Sequence, residues 1–389
     1  MTVMRNIMQR SGEPVALVMQ GGGALGAYEW GAVTALCEEG YYPVAVAGVS
    51  IGAVNAAAIA GARGGDVIAS LETLWKLLIN RHVLASIPWF APFGNRAMYL
   101  PRSGMDYLTF PWWTAYCDVT PLRRTLEQVC NFDQINDPDH MGFAVTATEV
   151  ETGVLKRFRN RAPDWKAKPD RITSDHVLAS GALPPGFPMA FVDGKAHWDG
   201  GLFDNTPVRP MIDLLDDEQA DSVPIVQINL FPDGKPMPLP TNMQEVVARK
   251  MELTFENRFW DDYATLHYSG RKGLRKYAAM IRKLRAEVSP DSQLWHDEQF
   301  QTLLKRRCLG NLHIIQSEHE PMTGGIDFSE AGILARRKRG YDAVKAYQLA
   351  RKVQERAREA ARSADETNNP GLEGRDNRSA GQRILEPAS

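Results

Sequence analysis

VALVMQGGGALGAYEWG, residues 15–31, decides how the rest of the chain is read. Residues 15–20 read as a buried strand that three glycines interrupt (Gly21, Gly22, Gly23). Leu25, Tyr28, Ala32, Ala35 and Leu36 then recur at the spacing of one helix face across residues 24–39. A strand, a glycine turn and a helix in that order make a cradle for negative charge. The helix start offers unpaired N–H groups together with the positive end of its dipole. Two anions compete for it: a dinucleotide pyrophosphate, since Gly21, Gly23 and Gly26 satisfy G-x-G-x-x-G, or the oxyanion of ester hydrolysis.

The next strand separates them. A dinucleotide site needs an acid at the end of that strand to hold the ribose hydroxyls. Residues 44–48 form the second strand here, and it ends in Gly48-Val49-Ser50. GVSIG fits G-x-S-x-G, with VAVAG before it and AVNAAAIAG after it as the strand and helix a nucleophile elbow requires. Gly48 and Gly52 let the neighbouring backbone pass close while the Ser50 hydroxyl points outward. A helix over residues 51–62 follows, and Asp66 opens another, so the chain begins β, α, β, α, α and belongs to the α/β class.

A serine hydroxyl needs a base. The α/β-hydrolase arrangement takes a late histidine but places several strands before its elbow, and only one precedes Ser50. None of the eight histidines sits in an evident strand-end motif. His197 comes nearest, two residues before DGG, and reads as a partly exposed turn histidine that would emerge on the face opposite Asp199 if the segment is extended. In HWDGGLFDNTPV, Asp199 precedes Gly200 and Gly201, in a turn that lets the main chain approach another loop closely. Asp-Gly is also a plain turn signal.

GGGALGAYEWG, GVSIGAVNA and DGGLFDNTP, in that order, resemble the glycine-rich loop, nucleophile elbow and D-G-A/G motif of the patatin-like phospholipase family, and HVLASGALPPGFP is similar to the family stretch leading to the aspartate. The resemblance covers about residues 15–210. It implies a three-layer α/β/α fold with a mostly parallel central sheet, and lipid acyl hydrolysis (phospholipase A-type or lipase) by a Ser-Asp dyad without histidine. It makes Ser50 the nucleophile, Asp199 the general base, and Gly21, Gly22 and Gly23 the oxyanion hole. Gly26, Gly48, Gly52, Gly200 and Gly201 are the remaining motif glycines. One departure stands out: Leu25 occupies a place where many members carry Arg or Lys, so a cation there is absent or supplied elsewhere, and phospholipid is not demanded. Residues 211–348 resemble the extra, largely helical C-terminal region of some bacterial members. The alternatives are an esterase on soluble or polymeric hydroxyacid esters, and a non-catalytic binding protein retaining the fold.

Composition bounds the remainder. With 389 residues, 44% of them apolar, and a formal net charge of −2, the chain lacks the basic field that nucleic acid or an anionic membrane would select. Four widely spaced cysteines without C-x-x-C read as reduced thiols of a cytoplasmic protein, and no metal-ligand spacing or cofactor motif appears. Residues 1–14 read as a tail without a secretory signal. Residues 41–62 carry no charge over a length that would span a bilayer, but their proline, glycines and alanines fit a buried strand and helix better. Residues 83–116 are irregular and rich in aromatics and proline; two readings stand, that part of the stretch borders the site mouth and meets acyl chains or a lipid surface in peripheral membrane contact, or that it is an aromatic cluster buried beneath a loop. Residues 349–389 begin as a charged helix and fade into a tail expected to be disordered.

Overall fold

The computed structural model describes residues 12–81, 94–102, 106, 109, 111–162, 168–231, 239–255, 270–318, 320 and 325–368. Both chain ends and the stretch with Trp89, Phe90 and Phe93 fall outside them. The chain forms two units. Met1–Val344 carries every described strand, and the described part of Lys345–Ser389 is helix.

The first unit is built on one mixed sheet. Its strands are β1 (Glu13–Met19), β2 (Tyr41–Gly48), β5 (Gly142–Glu149), β6 (Leu155–Arg159), β7 (Ala190–Val192), β8 (Lys195–Asp199), β9 (Ile225–Asn229) and β10 (Leu312–Gln316). A short separate ribbon pairs β3 (Leu100–Pro101) with β4 (Cys117–Asp118). The order is β10-β9-β1-β2-β5-β8-β7. The first five of these run parallel, β8 and β7 continue antiparallel, and β6 pairs with β5 off this path. β1 and β2 are near-continuous apolar runs because helices cover both sheet faces. β9 and β10 come from beyond residue 210, so the C-terminal region adds strands as well as helices, and a boundary near 210 divides the sequence by motif and not the sheet.

Helices flank the sheet as the α/β/α reading requires. They are α1 (Ala27–Glu38), α2 (Ile51–Ala60), α3 (Val67–Leu78), α4 (Thr120–Val129), α5 (Ser174–Ser180), α6 (Val208–Leu214), α7 (Met243–Phe255), α8 (Gly270–Glu287), α9 (Glu298–Lys305) and α10 (Glu330–Asn368). Every residue of α2 is buried, which explains its lack of charge, and among the described residues no helix is long and apolar enough to cross a membrane. α1 is buried through Leu36. It is crossed by the first part of α10 at two glycines: a Cβ on Gly31 would lie 1.8 Å from the Arg337 carbonyl oxygen, and one on Gly340 would lie 1.9 Å from that of Tyr28.

Local differences from the sequence reading have physical causes. The helix expected from residue 24 splits into a 3-10 turn, Gly23–Gly26, and α1, because the tight turn sets Gly26 against Ile51, where a Cβ would meet the side chain at 2.7 Å. Thr173 caps α5, in a capping box with His176. β5 and β6 form a hairpin with Gly153 at its turn, where it adopts φ +67°. All four cysteines are free, with Cys130 and Cys308 buried.

Candidate active site

The sheet register gathers the motifs. Met19 pairs with Gly48, Gly48 with Val145, and Ala147 with Asp199. The glycine loop and the elbow therefore leave adjacent parallel strands at their carboxyl ends, where open α/β sheets place ligands, and β8 delivers Asp199 to the same edge from the antiparallel side.

Ser50 links β2 to α2 with φ +54° and ψ −123°, a conformation that side-chain-bearing residues rarely adopt and that an elbow imposes on its nucleophile. Glycines at Gly48 and Gly52 allow the turn. A Cβ on Gly48 would sit 2.2 Å from the Gly52 carbonyl oxygen, and one on Gly52 would sit 2.5 Å from that of Met19. The strained residue is held by its own amide, which donates to both the carbonyl and the hydroxyl of Ser180 at 3.1 Å.

Asp199 ends β8 and is buried, 1% exposed. Its Oδ1 accepts the Gly201 amide at 2.8 Å, while Oδ2 has no hydrogen bond of full geometry among the described residues. Burial pushes the carboxyl up to about 7, with the nearby Ser50 hydroxyl and the Gly201 amide pulling it part of the way back. Gly200 fits against β5, where a Cβ would lie 2.5 Å from the Thr146 carbonyl oxygen, and Gly201 faces the Phe255 ring.

The glycine loop is fixed from the DGGLFDNTP segment. Asn205 accepts the Gly21 amide on Oδ1 at 3.0 Å and donates from Nδ2 to the Gly21 carbonyl at 3.2 Å. Gln20 donates to the Thr206 hydroxyl at 2.7 Å and accepts the Leu230 amide at 2.7 Å. Gly21 abuts the elbow, a Cβ there lying 2.9 Å from that of Ser50. Gly22 and Gly23 keep amides without an acceptor among the described residues. Gly23 takes φ +59° with the Gly325 carbonyl oxygen 2.2 Å from where a Cβ would be, so only glycine fits.

Sequence reading passed over Asn205, Ser180 and Glu29. Asn205 lies inside a quoted motif, but a side chain that bonds backbone 184 residues away leaves no periodic signal. Glu29 is fully buried in α1. It accepts Asn55 Nδ2 at 2.9 Å, and the same amide reaches the Gly26 carbonyl at 3.0 Å, bracing the glycine turn against α2. Burial holds the Glu29 carboxyl well above the usual range.

His197 differs from expectation. It is 2% exposed on β8 rather than in an exposed turn, and residues two apart on a strand share a face, so it does not emerge opposite Asp199. Its ring packs edge-on to Phe158, Nδ1 donates to the Lys195 carbonyl at 2.9 Å, and burial lowers its pKa. Among the described residues no three metal-ligating side chains gather.

A strained serine, a buried aspartate and a glycine loop thus meet at the carboxyl ends of the parallel strands. The family model of the patatin-like phospholipases matches residues 17–212, and the chain belongs to that family. Comparison with curated proteins finds no match. Among solved structures the chain is similar to VipD from Legionella pneumophila, at 15% identity and a TM-score of 0.37, over 86% of this chain and 66% of that one. It thus spans just under two thirds of that protein.

Proposed function

We propose that the chain is a serine lipid acyl hydrolase working through a Ser50-Asp199 dyad. The observation that carries this reading is the meeting of a strained Ser50 with a buried Asp199, whose carboxyl the Ser50 hydroxyl pulls below the value that burial alone would give. Ser50 Oγ attacks the ester carbonyl carbon as Asp199 takes its proton, and the Gly22 and Gly23 amides receive the oxyanion. Gly21, whose amide Asn205 already holds, sets the loop's position instead. Collapse breaks the bond to the alkoxy oxygen, which leaves as alcohol with the proton from Asp199. Water then attacks the acyl-enzyme, giving its proton to Asp199, and the acid departs as Ser50 is reprotonated. An aspartate near 7 is a far better base than an exposed one, so burial supplies the basicity that other serine hydrolases draw from histidine.

A second reading, an esterase on soluble or polymeric hydroxyacid esters, rests on Leu25, a buried apolar residue where a cation would favour phosphate. Cytoplasmic residence with peripheral membrane contact is part of the main proposal. The test is Ser50→Ala. It should abolish fluorophosphonate labelling and fatty-acid release from a panel of phospholipids, acylglycerols and polyesters, in a protein that melts like the wild type. Labelling that survives the change rejects the nucleophile, and failure of the wild type to label favours a non-catalytic binding protein.

A further inference from the structure

An apolar surface adjoins the Asp199 turn. Phe203 follows that turn at 60% exposure, and α7 presents Met243, Val246, Val247 and Leu253, all largely exposed. Scattered exposed apolar residues need no explanation, but a contiguous set beside a site does. Leu202, Val246 and Leu253 form the apolar wall of a groove of about 450 Å³, large enough for an acyl chain, and Arg249, Lys250 and Thr254 form its polar side.

α7 is tied to the Asp199 turn, and Leu202 of that turn lines the groove. The last residue of α7, Phe255, meets Gly201 and accepts Asn205 Nδ2 on its carbonyl at 2.9 Å, and Leu202 lies three residues beyond Asp199. The two cations are not equivalent. Arg249 is paired with Glu252 at 3.2 Å, whereas Lys250 is exposed and has no side-chain partner among the described residues. An unpaired ammonium lining a largely apolar groove suits a molecule with a long hydrocarbon chain and a negative group a short distance from its ester.

We infer that the groove along α7 is the substrate subsite for an anionic glycerophospholipid, with the acyl chain along Leu202, Val246 and Leu253 and the charged headgroup at Lys250. This rests on the acyl-hydrolase reading and deepens it. The cation missing at Leu25 is supplied from the C-terminal region, and the headgroup sign becomes a property of this chain.

The experiment compares kcat/KM for dioleoyl phosphatidylglycerol and dioleoyl phosphatidylcholine in mixed micelles. The wild type should favour phosphatidylglycerol. Lys250→Glu should lower that ratio about tenfold, as expected for reversing one solvent-screened charge, and Lys250→Arg should keep it. Lys276→Glu, the same reversal on the exposed face of α8, should leave the ratio at the wild-type value. Leu253→Asn should reduce the preference for oleoyl over short acyl chains. No headgroup preference in the wild type, an unmoved ratio in Lys250→Glu, or an equal shift in Lys276→Glu overturns the subsite, the last by showing a response to net charge and not to position. Ser50-dependent hydrolysis of p-nitrophenyl butyrate, followed in parallel, separates the two levels. Its persistence alongside any of those results removes the subsite alone, and its absence in the wild type removes the acyl-hydrolase reading and the subsite with it.

Discussion

Asn205 answers both backbone groups of Gly21, accepting its amide at 3.0 Å and donating to its carbonyl at 3.2 Å. Gly21 lies against Ser50 on one side and leads into Gly22 and Gly23 on the other, so this side chain sets where the loop amides point. Misplacing donors by an ångström costs on the order of tenfold to a hundredfold in rate. Asn205→Ala should lower kcat toward p-nitrophenyl butyrate by that factor with little change in KM, because the donors matter most as charge develops. A kcat within twofold of wild type in a folded variant would remove Asn205 from the loop's support.

The acidity of Asp199 fixes a pH profile. A base must be ionised to accept the serine proton, so kcat/KM should rise with pH through about 7 and level off above it. Asp199→Asn should lose roughly two to four orders of magnitude in kcat. His197→Ala empties a buried position and should lower the melting temperature, while costing less than about tenfold in kcat and leaving the pH midpoint in place. If the midpoint near neutrality vanished in His197→Ala, a variant in which Asp199 is intact, the proton would belong to the histidine.

The same shift bears on stability, with a definite sign. The folded pKa of Asp199 is raised above its unfolded value, so the folded state prefers the neutral acid. That advantage is present below about 4 and is lost as pH rises through about 7. Above neutrality the buried carboxylate costs on the order of 4 kcal/mol relative to a neutral group. Asp199→Asn should therefore melt higher than wild type at pH 8, with the gap closing toward pH 4. Scanning calorimetry at both values checks it, and a variant less stable at pH 8 would mean that the carboxylate is already well solvated or paired.

The legible parts of this protein were those with local causes. Strand, glycine turn and helix at residues 15–39 follow from apolar spacing, and the Ser50 elbow from two glycines at fixed offsets. The Asp199 turn was visible only as a common dipeptide until its order after the other motifs was considered. What stayed hidden is long-range. That β9 joins β1 depends on which apolar runs meet in space, the Asn205 bond on a side chain with no periodic partner, and the raised pKa of Asp199 on burial that no neighbour in sequence announces. His197 was misjudged for the same reason: in sequence it borders a turn, while in the fold it sits inside the sheet.

The aromatic stretch at residues 83–116 divides into residues with different jobs. Trp113 is anchored, its indole donating to the Asp106 carbonyl at 2.9 Å with the Arg102 guanidinium 5.3 Å from its ring centre. Trp112 is 78% exposed. An indole left in water at that extent is costly unless it meets an amphipathic surface, and Trp is suited to the interface of a lipid aggregate, where its ring is buried and its N–H stays wet. Trp112→Ala should raise the apparent KM for micellar or vesicular substrate by roughly three- to tenfold, consistent with losing part of one aromatic side chain's burial, and leave the KM for a short soluble ester unchanged. Trp113→Ala should instead lower the melting temperature and disturb both substrates alike, since its contacts are internal. Equal KM changes for aggregated and soluble substrate in the Trp112 variant would place that residue against the protein and not against lipid.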